Sequence, residues 1–156
     1  MEILIVTVGK FGKGKAHAAE KAIYEQYAGR ISPPPKLTEV EEKRPLPSEQ
    51  RKRREGELLR AALPNGAVVV ALDERGRNIS SNDLATKIES WRDSGRRSIA
   101  FLIGGADGLD NETRRRADMV VSLGKMTWPH LLVRGMLAEQ IFRAQSILAG
   151  HPYHRA

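Results

Sequence analysis

Cysteine is absent from the 156-residue sequence, and aromatic residues make up only 5% of it. Without cysteine there are no disulfide bonds and no thiolate metal sites, which is typical of cytoplasmic proteins. No apolar run approaches the roughly 20 residues that cross a bilayer, and the amino-terminal residues lack the pattern of a cleavable signal peptide. We therefore expect a cytoplasmic protein with neither a membrane nor a metal as a partner.

Acidic residues are also scarce relative to basic ones, with 19 Asp and Glu against 26 Lys and Arg and a net charge of +7. This excess favours a polyanionic partner, most commonly nucleic acid, over a merely basic soluble protein. The densest cluster is Arg51-Lys52-Arg53-Arg54. It is either a solvated helix face or a set of phosphate contacts, and phosphate contacts weaken steeply with salt.

Apolar runs and helical periodicity alternate along the chain. The runs at 2–8, 36–40, 67–72, 98–103 and from Met119 onward predict strands. Helices are predicted at 16–27, from a cap at Ser48 to residue 63, behind the capping box that begins at Ser80, at 110–117 and at 131–148. Alternation of this kind predicts one α/β domain over 1–156, built on a mostly parallel sheet.

A glycine-rich loop after the first strand resembles a nucleotide-binding motif. Gly9 is followed after four residues by Gly14-Lys15, between a predicted strand and a predicted helix. Asp73 ends another apolar strand, as does the acid that holds Mg²⁺ in such proteins. The motif requires Ser or Thr after the lysine, however, and Ala16 offers no oxygen. A nucleotide hydrolase is therefore the weaker alternative.

Three strand-end loops form the second pattern with chemical meaning. They follow the apolar strands that end at Leu72 and at Ile103 and the one that begins at Met119. In open parallel sheets, ligands bind beyond the carboxyl ends of the strands. Gly104-Gly105 permits close backbone approach or a positive φ, although a simple turn is the alternative for this pair. The sequence thus predicts a pocket made of these loops.

Several segments carry a more specific resemblance. They are residues 102–108 (Leu-Ile-Gly-Gly-Ala-Asp-Gly), 122–130 (Ser-Leu-Gly-Lys-Met-Thr-Trp-Pro-His), Arg134 with 139–144, and the tail from His151 to Arg155. Together they resemble the bacterial large-subunit ribosomal RNA methyltransferase H family, whose members are minimal SPOUT methyltransferases. The resemblance covers essentially the whole chain.

The resemblance implies a SPOUT fold with a carboxy-terminal trefoil knot, which is an exception to the rule that chains do not thread loops. It also implies a homodimer that uses S-adenosylmethionine to methylate N3 of a pseudouridine in 23S rRNA of the assembled ribosome. The residues that would hold the cofactor are Leu72, Gly104, Leu123, Gly124, Lys125, Met126, Thr127 and Trp128. Two residues depart from the family pattern. Gly135 replaces a branched aliphatic residue and is expected to loosen the last helix, and Phe142 replaces a tyrosine and lacks its hydroxyl.

Methyl transfer needs accurate positioning of the methyl group and removal of the proton from N3, but no metal. His130, Tyr153 and His154 are candidates for the proton acceptor, with Arg143 or Arg155 stabilising negative charge. We expect the tail to fold over a pocket, either its own or that of the partner subunit, whereas Glu139 and Arg143 equally fit an ordinary intrahelical pair. A non-catalytic ribosome-binding or assembly protein remains the alternative from another functional class.

Overall fold

The computed structural model describes residues 1–155, and Ala156 lies outside the described residues. Strands and helices alternate along the whole chain, as the sequence predicts. The elements are β1 (Glu2–Val8), α1 (Ala18–Ala28), β2 (Lys36–Val40), α2 (Ser48–Ala61), β3 (Val68–Asn78), α3 (Ser81–Asp93), β4 (Ser98–Ile103), α4 (Asn111–Arg116), β5 (Met119–Ser122) and α5 (His130–Leu148). No helix within these residues is long and apolar enough to cross a membrane.

The strands form one five-stranded sheet in the order β2-β1-β4-β3-β5, and every neighbouring pair is parallel. Helices α1, α3 and α5 contribute Tyr24, Leu84 and Ile141 to the apolar core on one face. Leu59 of α2 packs on the other face. Both faces are covered, which explains why β1 and β4 are apolar almost throughout rather than alternating.

Two helix starts test the predicted caps. The capping box before α3 is confirmed, since Ser80 and Asp83 exchange hydrogen bonds of 3.0 Å between side chain and backbone. The predicted cap at Ser48 is wrong: Pro47 occupies the cap position of α2, without a side-chain hydrogen bond. The ring of Pro47 fixes its φ at −58°, its ψ of 151° is extended, and its carbonyl accepts from Arg51 N at 2.9 Å. Ser48 is therefore already inside the helix.

Strand β3 runs six residues beyond the predicted end at Leu72, because it meets β5 twice. Leu72 and Arg77 both align with Val121, with a register shift between them. Gly76 lies against the backbone of β5, where a Cβ atom would sit 2.6 Å from the carbonyl carbon of Val121. Only glycine permits this approach, so the segment 73–76 loops out and returns directly onto β5.

Helix α5 is continuous through Gly135. A Cβ atom at this position would lie 2.6 Å from Cγ2 of Ile23 on α1. The glycine therefore brings α1 and α5 close together, and the side chain of Ile23 occupies the space that a branched residue would need. The expected loosening at Gly135 is not observed, since the helix continues through this residue.

Candidate active site

A cavity of about 220 Å³ lies beyond the carboxyl ends of β4 and β5, beside the segment 73–76 where β3 loops out after Leu72. The sheet order places these strands side by side, so the predicted convergence of their loops is confirmed. Seven of the eight residues expected to hold a cofactor line the cavity, together with His130. The seven are Leu72, Gly104, Leu123, Gly124, Met126, Thr127 and Trp128. Lys125 is exposed beside it.

The floor of the cavity is a tight turn after β4. A Cβ atom at Gly104 would lie 2.7 Å from the carbonyl carbon and oxygen of Gly108. The turn is closed by a 3.0 Å hydrogen bond from Gly108 N to the carbonyl of Gly105, and Gly108 has a φ of +80°. Both positions require glycine, one for space and the other for its conformation.

Charged side chains join the neighbouring loops through contacts that the sequence did not predict. Asp73 accepts a hydrogen bond from Arg75 N at 2.9 Å and pairs with Arg114 at 3.5 Å. Arg114 also donates to the carbonyl of Leu109. Glu74 accepts from the hydroxyl of Thr127 at 3.3 Å. These contacts tie the segment 73–76 of β3 to the loops after β4 and β5. The sequence signal for these contacts is the acidic pair Asp73-Glu74, which directly follows an apolar run.

The loop after β5 exposes apolar side chains. Its entry is fixed by Ser122, whose hydroxyl donates to the carbonyl of Gly124 at 2.7 Å and accepts from Gly124 N at 3.0 Å. Beyond it, Met126 is 74% exposed and Trp128 is 40% exposed. The Trp128 indole donates to the carbonyl of Leu123 at 3.3 Å. Large apolar groups held in this way are available for contact with a ligand or a partner.

His130 begins α5 and lines the cavity. Its Nε2 lies 3.3 Å from the place where a Cβ atom of Gly9 would be. Burial lowers the pKa of His130 below the ordinary 6.5, and the charges of Arg134 and His17 lower it further. The imidazole is consequently neutral near pH 7, and one ring nitrogen has a lone pair that can accept a proton.

One turn later, Arg134 is completely buried. Its Nη1 donates to Oε2 of Glu39 at 2.6 Å, and its Nη2 donates to the carbonyl of Gly9 at 3.0 Å. The guanidinium carbon lies 4.3 Å from the ring centre of Phe11. Arg134 thus fixes the loop after β1 to the beginning of α5, beside His130.

The remaining catalytic candidates gather around Glu139. Its Oε1 accepts from the Tyr153 hydroxyl at 2.9 Å and from Arg143 Nε at 2.9 Å, so the intrahelical pair is formed. Nη1 of Arg143 lies 3.2 Å from Nδ1 of His154. The ring of Phe142 packs on Tyr153 with centroids 4.7 Å apart. Burial and then the hydrogen bond to Glu139 raise the pKa of Tyr153, so its hydroxyl stays protonated at neutral pH.

The candidates therefore form two separate groups within one chain. His130 and Arg143 are thirteen positions apart on α5, or roughly 20 Å along its axis, and they lie on nearly opposite sides of it. His130 lines the cavity, whereas Arg143, Tyr153 and His154 do not. A site that used both groups would have to combine His130 of one chain with Arg143 and the tail of another.

Comparison with known proteins shows the family to which this chain belongs. Residues 1–154 match the family described as "Predicted SPOUT methyltransferase". The chain belongs to this family. Ribosomal RNA large subunit methyltransferase H from Paramagnetospirillum magneticum is 59% identical over 155 residues, covering 99% of each chain. The protein of the same name from Rhodospirillum centenum is 53% identical over 156 residues, covering all of both chains.

A solved structure has a similar fold. A probable methylase family protein from Haemophilus influenzae superposes with a TM-score of 0.57 at 12% identity, covering 99% of this chain and 70% of that one. For this SPOUT methyltransferase, the nucleotide-hydrolase alternative finds no support. Asp73 is bonded to Arg75 and Arg114, and β4 separates β3 from the strand before the glycine-rich loop.

Proposed function

We propose that this protein methylates N3 of a pseudouridine in 23S ribosomal RNA, using S-adenosylmethionine, on the assembled ribosome in the cytoplasm. Family membership and the names of the relatives support this function. The observation that carries it is the convergence of three strand-end loops on one cavity with a neutral histidine at its edge. We also propose that one SPOUT domain spans residues 1–156.

The residues at the cavity suit S-adenosylmethionine, which supplies a methyl group already activated by a sulfonium sulfur. Leu72 and Leu123 offer apolar walls for an adenine ring, and the glycine turn at Gly104 leaves room for close backbone contact. Asp107 adds a carboxylate at the cavity, which favours a ligand that carries positive charge. The backbone turns would hold the reagent in a fixed position, and the required catalytic contribution is largely orientation.

His130 would accept the proton of N3. It lines the cavity and is neutral at pH 7, as a general base must be. Tyr153 is less suited to this role because its raised pKa keeps the hydroxyl protonated. The Tyr153 hydroxyl and the Arg143 guanidinium are instead suited to donating hydrogen bonds to negative charge that develops on the base ring.

We propose that these groups come from the partner subunit of a homodimer. The separation of roughly 20 Å between His130 and Arg143 along one helix supports this arrangement. So do the exposed apolar side chains of Met126 and Trp128, and Ile23 on α1, which is 38% exposed. Exposed groups of this size commonly mark a protein interface.

Mixed dimers provide a sharp test. We expect a chain lacking residues 153–156 and a His130→Ala chain to be inactive alone while both bind S-adenosylmethionine. When the two are co-expressed and the heterodimer is purified through two tags, one of its two sites has an intact histidine and an intact tail. Methyl transfer should then recover to about half of the wild-type rate. Full activity of the truncated homodimer, or an inactive heterodimer, would contradict the shared site.

We further propose that the chain is threaded into a trefoil knot around β5. The double alignment of Val121 with Leu72 and Arg77, and the close approach of Gly76, support such a crossing. Gly76→Ala should destabilise the fold by about 1–3 kcal/mol, because the added methyl group meets backbone. Gly14→Ala is the matched control in urea unfolding, since its methyl group would meet nothing within 4 Å.

The function itself is tested by transfer of a labelled methyl group to intact ribosomes and to free rRNA, followed by mapping of the modified base. We expect transfer to ribosomes and modification of one pseudouridine. Calorimetric titration with S-adenosylmethionine distinguishes the non-catalytic alternative, which predicts no saturable heat. Absence of both heat and transfer would refute the proposed function.

A further inference from the structure

The glycine-rich loop at residues 9–15, which we call the basic loop, is fixed at its base and free at its tip. At the base, Arg134 donates to the carbonyl of Gly9, and Glu39 accepts from Phe11 N at 2.9 Å. The Phe11 ring is buried and packs on Tyr24 with ring centres 5.9 Å apart. At the tip, a Cβ atom on Gly12 or Gly14 would meet nothing within 4 Å.

The basic loop lies beside the cavity. Gly9, its first residue, lies close to His130, which lines the cavity: Nε2 of the imidazole is 3.3 Å from where a Cβ atom of Gly9 would be. Lys10, Lys13 and Lys15 are all exposed. Because a chain extends by at most ~3.5 Å per residue, Lys10 and Lys15 are separated by no more than roughly 17 Å. The ammonium groups therefore project from a short stretch next to the candidate base.

The charges of the basic loop are available to a partner. Within residues 1–155, no carboxylate lies within 4.0 Å of the ammonium group of Lys10, Lys13 or Lys15. Lys10 is near Glu39, but that carboxylate is already paired with Arg134 at 2.6 Å.

The basic cluster on α2 is different, because two of its side chains are already paired. Lys52 pairs with Glu49 at 3.2 Å, and Arg54 pairs with Glu42 and Glu57 at 3.2 and 3.0 Å. Partners within the chain reduce the positive charge that this cluster can offer to an external anion.

We propose that the basic loop binds phosphates of the substrate RNA on either side of the acceptor nucleotide. The proposal rests on the proposed function for the identity of the RNA. Phosphate contacts orient a nucleic acid without reading its sequence. A surface next to a reactive pocket has to orient the substrate in this way. The rigid base of the loop would hold Lys10 at a constant distance from His130, and the free tip, which carries Lys13, would adapt to the backbone of the RNA.

The test compares two triple variants with the same change in charge. Lys10, Lys13 and Lys15 are changed to Ala in one. In the control, the exposed residues Lys87, Arg92 and Arg97 are changed to Ala. We measure KM for ribosomes, binding to a 23S rRNA fragment and calorimetric binding of S-adenosylmethionine. The loop variant should raise KM and weaken RNA binding while cofactor binding stays unchanged. A third variant with Arg at the three loop positions should restore both.

Salt dependence gives the quantitative outcome. Three lost contacts to single-stranded RNA should lower the log–log salt slope by about 2, so the advantage of the wild type over the loop variant should be ~20 times larger at 50 mM than at 200 mM salt. Equal KM values and slopes for the loop variant and the control would overturn the proposal. If the wild type transfers no methyl group yet the loop variant alone loses RNA binding, the proposed function fails and the inference stands.

Discussion

Replacement of Arg134 by Met tests whether the buried arginine holds the candidate active site together. The change removes the 2.6 Å pair with Glu39, the 3.0 Å bond to the carbonyl of Gly9 and the stacking on Phe11 at 4.3 Å. Removing one member of a buried pair costs about 3–5 kcal/mol. Glu39 is partly exposed and keeps the hydrogen bond from Phe11 N, so we expect a loss near the lower limit, about 3 kcal/mol.

In a domain of this size, such a loss should lower Tm by roughly 6–12 °C. Urea unfolding gives the free energy directly. Arg143→Met is the matched control, since it breaks a carboxylate pair on the same helix at a more exposed position and should cost less than about 1 kcal/mol. The double variant with Glu39→Gln should be less destabilised than the sum of the two single changes, because both remove one shared interaction.

The stability difference between wild type and Arg134→Met should also depend on pH in a defined direction. Burial acts to raise the pKa of Glu39, but the hydrogen bonds from Arg134 and from Phe11 N outweigh it and lower the pKa below the ordinary 4.5. A carboxyl whose pKa is lowered by folding stabilises the folded state above its unfolded pKa, and this contribution disappears as the pH falls through the folded pKa. The difference between wild type and Arg134→Met should therefore be constant near pH 7 and shrink below about pH 4.5. A loss under 1 kcal/mol at pH 7, or additive single changes, would refute the reasoning.

Three further predictions concern the cavity and its surroundings. Gly104→Ala should weaken S-adenosylmethionine binding by about 1–3 kcal/mol, because the added methyl group displaces the backbone of Gly108; calorimetry that finds wild-type affinity would contradict it. His130→Gln should lower kcat by about 10²–10⁴-fold and abolish the acid limb of the pH–rate profile, which in the wild type should lie below pH 6.5; a variant that keeps this limb would exclude His130 as the base. Burial and then the charge of Asp107 raise the pKa of Glu55, so ionisation opposes folding as the pH rises above 4.5. Glu55→Gln should consequently be more stable than wild type in urea at pH 7, with the difference closing toward pH 4, and equal stability at both pH values would argue against it.

The strands were predictable where burial alone determines them. The bounds of β1 and β4 coincide with the predicted 2–8 and 98–103, since apolar and β-branched runs of this length have few alternatives to a covered strand. Strand β3 was predicted to end at Leu72 because polar residues follow. Its second half exists through pairing with β5, 44 positions further along the chain, as the alignment of Arg77 with Val121 shows. No local pattern encodes such a return.

The site was predictable to a similar extent. Chain order and parallel strands place the loops after Leu72, Ile103 and Ser122 on one edge of the sheet. The role of Arg134 could not be predicted, because a single arginine in a helix is normally exposed. Its burial depends on Glu39 and Gly9, which lie 95 and 125 positions away in the chain. The separation between His130 and the tail likewise depends on where the tail folds, and its contacts with Glu139 and Arg143 are evident only in the structure.

The contacts that hold the cavity are stronger than those that hold the tail, so the candidate site has a rigid part and an adjustable part. The cavity is made of backbone turns whose geometry needs glycine at 104 and 108, and the base of the basic loop is held by a fully buried guanidinium. The tail, by contrast, is held in its own chain by Tyr153 and His154 through the partly exposed pair of Glu139 and Arg143. Side-chain pairs at such positions contribute about 0–1 kcal/mol each. Small shifts of the tail and Arg143 toward a partner's cavity would therefore cost little, whereas moving the cavity or His130 would disrupt the core, and this difference favours a site to which the partner subunit brings its tail and Arg143 together.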